Sequence, residues 1–294
     1  MQCVEEELML LEGSISNYLP TNCALANPFF EDEVITVEML LRHSSSLKDT
    51  EDNLLYGSRF RIDGGEPMTM SLEEYVRHFV VENTQIWSSQ ARPGTVVSYS
   101  NAGFTILGLA VETVRKQPLQ QAIQTRIFDP LGMRHSSFFL RDALATPGCV
   151  VTQPTSPSRP AGYYEVAEWP AAQLRSTAPD ILRFLRCFTR RGPPAGQPNI
   201  LGAPARARMQ PPGGAGGLAW WGRDFGYSLA AGAWQHGGFM QGIRSHAFVW
   251  AGGALVLLFN AEDPYEARAA ALVRALELAP PSAPDDPAAG GPAD

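Results

Sequence analysis

Apolar residues recur three and four positions apart through most of the first 190 residues, then gather into short continuous runs after residue 217. The first texture predicts helices and the second predicts strands. Val4, Leu8 and Leu11, set beside Glu5, Glu6 and Glu7, predict a helix over 1–12 with no N-cap residue before it. Thr36 is placed to cap a short helix through Arg42. Ser71 with Glu74 spells a capping box ahead of Tyr75, Val76, Phe79 and Val80, each side chain satisfying the other residue's main-chain N–H. Phe104, Leu107, Val111 and Val114 form a helical stripe, and 119–128 reads as a further helix. Thr177 with Asp180 spells a second capping box, before Ile181, Leu182, Leu185 and Phe188.

Residues 190–217 are rich in Gly, Pro and Ala and read as a long loop with one helical turn near Ala205. Strand-like runs follow at 217–221, 228–235, 243–250 and 254–260, with Ala251-Gly252-Gly253 as a hairpin link between the last two. Helical spacing returns over 267–278. The stretch 279–294 is Pro, Ala, Gly and Asp without large apolar residues, so disorder is expected there. No internal repeat is visible. Helices, then consecutive strands, then a helix is an α+β order and not an alternating βαβ one.

Composition narrows the function classes. The chain has 294 residues, 45% apolar and 18% charged, enough apolar material for one large core and too much for general disorder. Its net charge of −7 speaks against a broad nucleic-acid surface, because no basic field is present to replace phosphate counterions. Of the 23 basic residues only Lys48 and Lys116 are lysines, leaving 21 arginines. The longest apolar run, 247–259, is interrupted by Gly252 and Gly253 and is too short for a membrane span. Cys3, Cys23, Cys149 and Cys187 form no C-x-x-C pair and are expected as reduced thiols. No metal-ligand cluster appears, and no cofactor is implied. The acidic start gives no readable address, so the compartment is open.

Three segments carry candidate chemistry. Tyr99-Ser100-Asn101 stands between a turn and a predicted helix, His236-Gly237-Gly238-Phe239 ends a predicted strand, and Ser176-Thr177-Ala178-Pro179-Asp180 opens a helix. Alone, a tyrosine before a helix is ordinarily a packed aromatic and His-Gly-Gly is ordinarily a turn. In this order, and with their flanks, they resemble one family closely: the β-lactamase-related serine hydrolases, which include class C β-lactamases, D-alanyl-D-amino-acid peptidases and esterases. Residues 35–47 resemble its "ITVRHLLTHTSGL", residues 98–108 its "YSNxGYxLLG" and residues 127–133 its "IFEPLGM". The resemblance runs from Glu5 to about Asn260.

The resemblance implies an antiparallel sheet flanked by helices, a mostly helical second region, and a site between them. It also implies acyl transfer, in which a serine attacks an amide, β-lactam or ester carbonyl and forms an acyl-enzyme. Carried over, Tyr99 is the proton-moving tyrosine and Asn101 the substrate-binding amide. His236 and Gly238 fill the family's H-x-G positions, Gly237 lies between them, and the N–H of Phe239 is an oxyanion donor.

One part of the pattern departs. The family's nucleophile and lysine form an S-x-x-K at the start of a helix, and residues 3–20 resemble the segment in which that helix ends. The expectation is therefore an incomplete domain over 1–278, with the early strands and the S-x-x-K not included. Ser45-Ser46-Leu47-Lys48 does spell S-x-x-K, but it aligns with a loop and runs into Asp49 and Thr50 instead of an apolar helix. Lys116 has Thr113 three residues before it. A tyrosine ionising near ~10 needs a cation beside it to act as a base. Two readings follow: a serine hydrolase lacking its nucleophile in this chain, or a pseudoenzyme that keeps the pocket for binding or assembly. The implied partner is a small-molecule, peptide or ester substrate. An uncovered edge at 254–260 is a route to self-association.

Overall fold

The computed structural model of this protein describes residues 1–49, 61–63, 68–148, 163–193, 195–211, 217–222, 233–240 and 242–260. The expected helix at 267–278, the expected tail at 279–294 and Cys149 lie outside them.

The first helix, α1 (Gln2–Glu5), stops well short of residue 12. Glu7 turns into the left-handed region at φ 58. Met9 and Leu11 become buried and Leu8 is left at the surface, so the stripe read from Val4, Leu8 and Leu11 does not form. Tertiary contacts account for the break: Glu6 reaches Arg115 (3.0 Å) and Arg126 (2.6 Å), and Glu5 accepts from the Gly202 N–H at 2.7 Å. Such contacts outweigh helix propensity, which is a weak preference.

Helix α2 (Val37–Leu41) is capped as its sequence predicts, with Thr36 Oγ1 accepting from Met39 N at 3.2 Å. A short strand β1 (Arg61–Asp63) follows. The Ser71–Glu74 capping box is complete and opens α3 (Leu72–Val76), which continues through a wider turn over Arg77–Val81. Helix α4 (Asn101–Arg115) is the centre of the fold. Ala102, Thr105, Ile106, Leu109 and Ala110 are buried along it, whereas the stripe Phe104, Leu107, Val111 and Val114 is only half-buried. The sequence stripe thus marks the more open side of a helix packed nearly all round.

Helix α5 (Leu119–Ile123), the turn Gln124–Phe128 and α6 (Asp129–Leu131) run together, and Gly132 ends them at φ 65. Helix α7 (Leu140–Ala145) precedes β2 (Tyr164–Val166), which pairs antiparallel with β1. Helices α8 (Trp169–Ala172) and α9 (Ala178–Arg186) follow. Thr177 caps α9, accepting from Asp180 N at 3.4 Å, but Asp180 does not reciprocate. Its buried carboxylate instead accepts from His135 N (2.7 Å) and Ser136 Oγ (3.0 Å) and pairs with Arg183. The helical turn expected near Ala205 is α10 (Ala203–Met209).

Strands β3 (Trp234–Met240), β4 (Ile243–Trp250) and β5 (Gly253–Phe259) form an antiparallel sheet in that order. The link at Ala251 and Gly252 is the hairpin turn the sequence predicts. Two strand expectations need correction. Residues 217–221 supply a single bridge, Trp221 to Gln235, because Ala219 turns at φ 62. Of the run read as 228–235, residues 228–232 lie outside the described residues; Trp234 and Gln235 are strand, and that strand continues through His236-Gly237-Gly238-Phe239 to Met240. Among the described residues β5 pairs only with β4, and no helix is long and apolar enough to cross a membrane.

Candidate active site

After α2 the chain turns sharply at His43, which takes the left-handed region at φ 54. The next residues run beside the segment leading into α4. Ser98 N donates to His43 O (2.7 Å), Gly94 N to Ser44 O (2.6 Å), Ser88 N to Ser46 O (2.9 Å) and Lys48 N to Ile86 O (2.9 Å). This lacing brings Tyr99 and Asn101 against His43 and Asp49.

Asp49 takes over the N-terminus of α4. Its Oδ1 accepts from Asn101 N (3.0 Å) and its Oδ2 from Asn101 Nδ2 (2.8 Å). Ser100, the N-cap by position, makes no capping bond with its side chain, so a residue 52 positions upstream supplies the missing acceptor. Asn101 Oδ1 in turn accepts from Tyr99 OH at 3.3 Å. The structure therefore joins Tyr99, Asn101 and Asp49 in one line. Burial pushes the Asp49 carboxyl up, against the hydrogen bonds from Asn101.

The His43 ring stacks with Tyr99 (4.4 Å between centroids, 29°) and Trp221 (5.7 Å, 8°) and tilts against Phe104 (5.1 Å). Nδ1 accepts from Ser100 N at 3.1 Å, which puts the proton of the neutral ring on Nε2. That Nε2 is buried without a hydrogen-bond partner. Burial first, and then His236, depress His43 to about 4. Trp221 exchanges both main-chain bonds with Gln235 at 2.9 Å, so strand β3 is tied to the Tyr99 loop through Trp221 and His43.

Strand β3 places His236 opposite Ala247, Gly237 opposite His246, Gly238 opposite Ser245 and Phe239 opposite Arg244. His236 is half-buried, and burial lowers it; Phe239 is 58% exposed under the Arg244 guanidinium, 3.4 Å from the ring centroid. A Cβ on Gly238 would stand 2.3 Å from Ser245 Oγ. His246 Nε2 meets Gln235 Oε1 at 2.9 Å, and burial with His236 depresses it to about 4. Despite three histidines nearby, no group of metal-ligating side chains occurs among the described residues.

Glu168 is fully buried; its Oε1 accepts from Tyr75 OH and its Oε2 has no partner. Burial pushes Glu168 up to about 8, and Asp49 adds to the shift against the Tyr75 bond. Tyr99 keeps 44% of its surface exposed, and burial of the remainder, then Asp49 and Glu168, push it up to about 12. Among the described residues, the charges that act on this phenol are thus both carboxylates. Lys116 closes the far end of α4, a 15-residue helix and so about 22 Å long. Lys48 is exposed, and Ser45 is buried in a bend where Ser46 turns at φ 71 before the Leu47–Trp87 bridge, so Ser45 and Lys48 do not share a helical turn.

His43, Asp49, Glu168 and Trp221 were not singled out by sequence patterns. His43 lies within 35–47 and Asp49 follows Lys48, but only the fold sets them against residues 99–101; Glu168 and Trp221 stand in no motif. Two cavities, of about 380 and 350 Å³, lie elsewhere, and neither is lined by Tyr99, Asn101 or His43.

The Beta-lactamase family model matches residues 1–279, and the chain belongs to that family. It is 26% identical over 246 residues to penicillin-binding protein 4 of Amycolatopsis lactamdurans, covering 81% of this chain and 57% of that one. It is 32% identical over 152 residues to lovastatin esterase of Penicillium rubens, covering 47% of this chain and 36% of that one. An octameric penicillin-binding protein homologue from Pyrococcus abyssi shares the fold at a TM-score of 0.69 and 19% identity, covering 94% of this chain and 62% of its own. The chain thus spans 57% and 36% of the two curated relatives' lengths.

Proposed function

We propose that this chain carries the proton-handling and substrate-orienting part of a serine acyl-transfer site for an amide, β-lactam or ester carbonyl, and that its 294 residues hold no serine–lysine pair to serve it. The observation that carries this reading is the Tyr99–Asn101–Asp49 line at the start of α4, with the carboxylates Asp49 and Glu168 as the charges that act on Tyr99 among the described residues. In the proposed site Tyr99 moves the proton, and Asn101 offers substrate the amide hydrogen that Asp49 leaves free. His236, Gly237 and Gly238 shape the strand edge, and the Phe239 N–H stabilises the oxyanion. A phenol at about 12 is neutral at pH 7 and takes no proton from a serine. A lysine ammonium beside it favours the anion and restores that capacity.

The test is a panel of a chromogenic cephalosporin, a p-nitrophenyl ester and a D-amino-acid amide. The 294-residue chain is expected to turn over none of them. A version extended at its N-terminus by an S-x-x-K helix is expected to turn over at least one, and Tyr99→Phe to abolish that. Turnover by the unextended chain that Tyr99→Phe removes would overturn the proposal.

A second reading keeps the same residues for binding or assembly without acyl transfer. The partnerless His43 Nε2–H, a donor held ready inside the site, favours it. Assembly has its own candidate surface in β5, where Leu258 is 45% exposed on the strand with a single described partner. Sedimentation that is unchanged by Leu258→Lys would remove that surface from consideration.

A further inference from the structure

Asn101 can face Tyr99 with either end of its amide, because a half-turn about the last side-chain bond exchanges Oδ1 and Nδ2. Its other neighbour decides which. Asp49 accepts from Asn101 N at 3.0 Å through Oδ1 and from Asn101 Nδ2 at 2.8 Å through Oδ2. A carboxylate has no hydrogen to give, so Nδ2 must face Asp49 and Oδ1 must face away. The contact between Tyr99 OH and Asn101 Oδ1 is longer, 3.3 Å. A short bond to a carboxylate is about twice as strong as a neutral one, so Asp49 and not Tyr99 sets the amide.

The backbone that delivers Asp49 is pinned. Lys48 N donates to Ile86 O at 2.9 Å, and Leu47 bridges Trp87. Ser100 makes no side-chain capping bond, so it does not stand in for Asp49 at the start of α4. Asn101 is buried, and water therefore does not average its two orientations, whereas Tyr99 stays open to solvent. A phenol has one hydrogen and two lone pairs. With Oδ1 turned toward it, Tyr99 spends its hydrogen on Asn101, and only the lone pairs remain for whatever approaches from the open side.

We propose that Asp49 is a positioning residue: by accepting from Asn101 Nδ2 it sets the sense of the Tyr99–Asn101 hydrogen bond, and so makes the Tyr99 oxygen an acceptor for the group that enters the site. The group that fits there brings a hydrogen, as a hydroxyl or an amine does; a carbonyl or carboxylate oxygen meets lone pairs and is refused. This sense also suits proton removal, since a base must first accept the hydrogen bond of the group it deprotonates. Asp49 touches neither substrate nor Tyr99 in this role and acts through Asn101 alone. The inference rests on the reading of Tyr99 and Asn101 as site residues, but the sense of their bond can be measured without any turnover.

The test follows the Asn101 side chain by nitrogen-15 and carbon-13 spectroscopy in the full 294-residue chain, with Tyr99→Phe to remove the hydroxyl and keep the ring. In the native background Tyr99→Phe is expected to move the Asn101 Cγ signal, whose oxygen loses a donor, and to leave the Nδ2–H signals in place. In Asp49→Asn the new amide must keep its oxygen on Asn101 N, so it turns its own Nδ2 toward the Asn101 side chain, which flips to meet it. In that background Tyr99→Phe is expected to move an Asn101 Nδ2–H signal and to leave Cγ nearly still. A residue that only capped α4 would leave the sense of the bond unchanged in Asp49→Asn, and that result would overturn the proposal. So would a Tyr99→Phe that moves Nδ2–H, or neither signal, in the native background, an arm that holds even if Asp49→Asn does not fold. Turnover by an N-terminally extended version depends on neither arm, so this inference and the proposed function fail separately.

Discussion

Asp49 holds Asn101 by both of its nitrogen donors, the main-chain N at 3.0 Å and Nδ2 at 2.8 Å. One carboxylate thereby caps the central helix and orients the amide that accepts from Tyr99. Removing it leaves Asn101 Nδ2 buried without a partner and α4 without its cap. Asp49→Ala is expected to cost about 1–3 kcal/mol. A urea midpoint that falls at constant m-value would register this, and Asp49→Asn, which keeps one acceptor, is expected to lose less.

The same carboxylate acts on Tyr99 through space. With Tyr99 pushed up to about 12, it remains a phenol at pH 10, where a free tyrosine is about half ionised. The Cζ chemical shift of carbon-13-labelled tyrosine, assigned by Tyr99→Phe, reads this directly. Asp49→Asn is expected to lower the Tyr99 midpoint, since it deletes a negative charge that opposes phenolate.

Glu168 gives stability a slope on the alkaline side. Its folded value of about 8 stands above the ~4.3 of an unfolded glutamate. Between those values the folded state holds the extra proton, so the stabilisation is full below about pH 4 and is lost as pH rises toward 8. Glu168→Gln keeps an acceptor for Tyr75 and cannot ionise. Its melting temperature is expected to gain on wild type steadily from pH 5 to pH 8; a constant difference would refute the buried proton.

The histidines give the opposite slope. His43 and His246 both lie at about 4 when folded, below the ~6.5 of a free imidazole. Stability from their neutral forms is complete above about pH 6.5 and is lost as pH falls toward 4. His43→Phe keeps a ring for Tyr99 and Trp221 to stack on and is expected to flatten the acid limb of a pH-dependent denaturation series.

Gly217 sits where backbone approaches backbone. A Cβ there would stand 2.5 Å from Trp220 O and Trp234 Cζ3 and 2.9 Å from Met209 O. Two of these atoms are carbonyl oxygens that do not rotate away. Gly217→Ala is expected to destabilise by about 1–3 kcal/mol, as overpacking does. Gly237→Ala, whose nearest contact is a His246 ring carbon at 3.5 Å, serves as the tolerated control in the same thermal melt.

Local signals in the sequence were legible where local chemistry decides. The Ser71–Glu74 box and the Thr36 cap form as written, because each needs only residues within one turn. The β4–β5 hairpin forms because Gly252 and Gly253 stand between two apolar runs. What misled were long-range demands. Glu5 and Glu6 end α1 early to meet Gly202, Arg115 and Arg126, and Asp180 leaves its capping box to serve His135 and Ser136. The candidate site divides the same way. Tyr99 and Asn101 are visible as neighbours before a helix, whereas Asp49, His43 and Glu168 join them only through folding, at separations no spacing rule reports.

The central claim is that these 294 residues hold Tyr99 and Asn101 in place without a reactive serine. Intact-mass measurement of the purified chain after incubation with a fluorophosphonate probe at pH 7.5 tests it most directly. An unmodified mass is expected. A single covalent adduct lost on denaturation before labelling, mapped to Ser45 or any other serine of the chain, would contradict it.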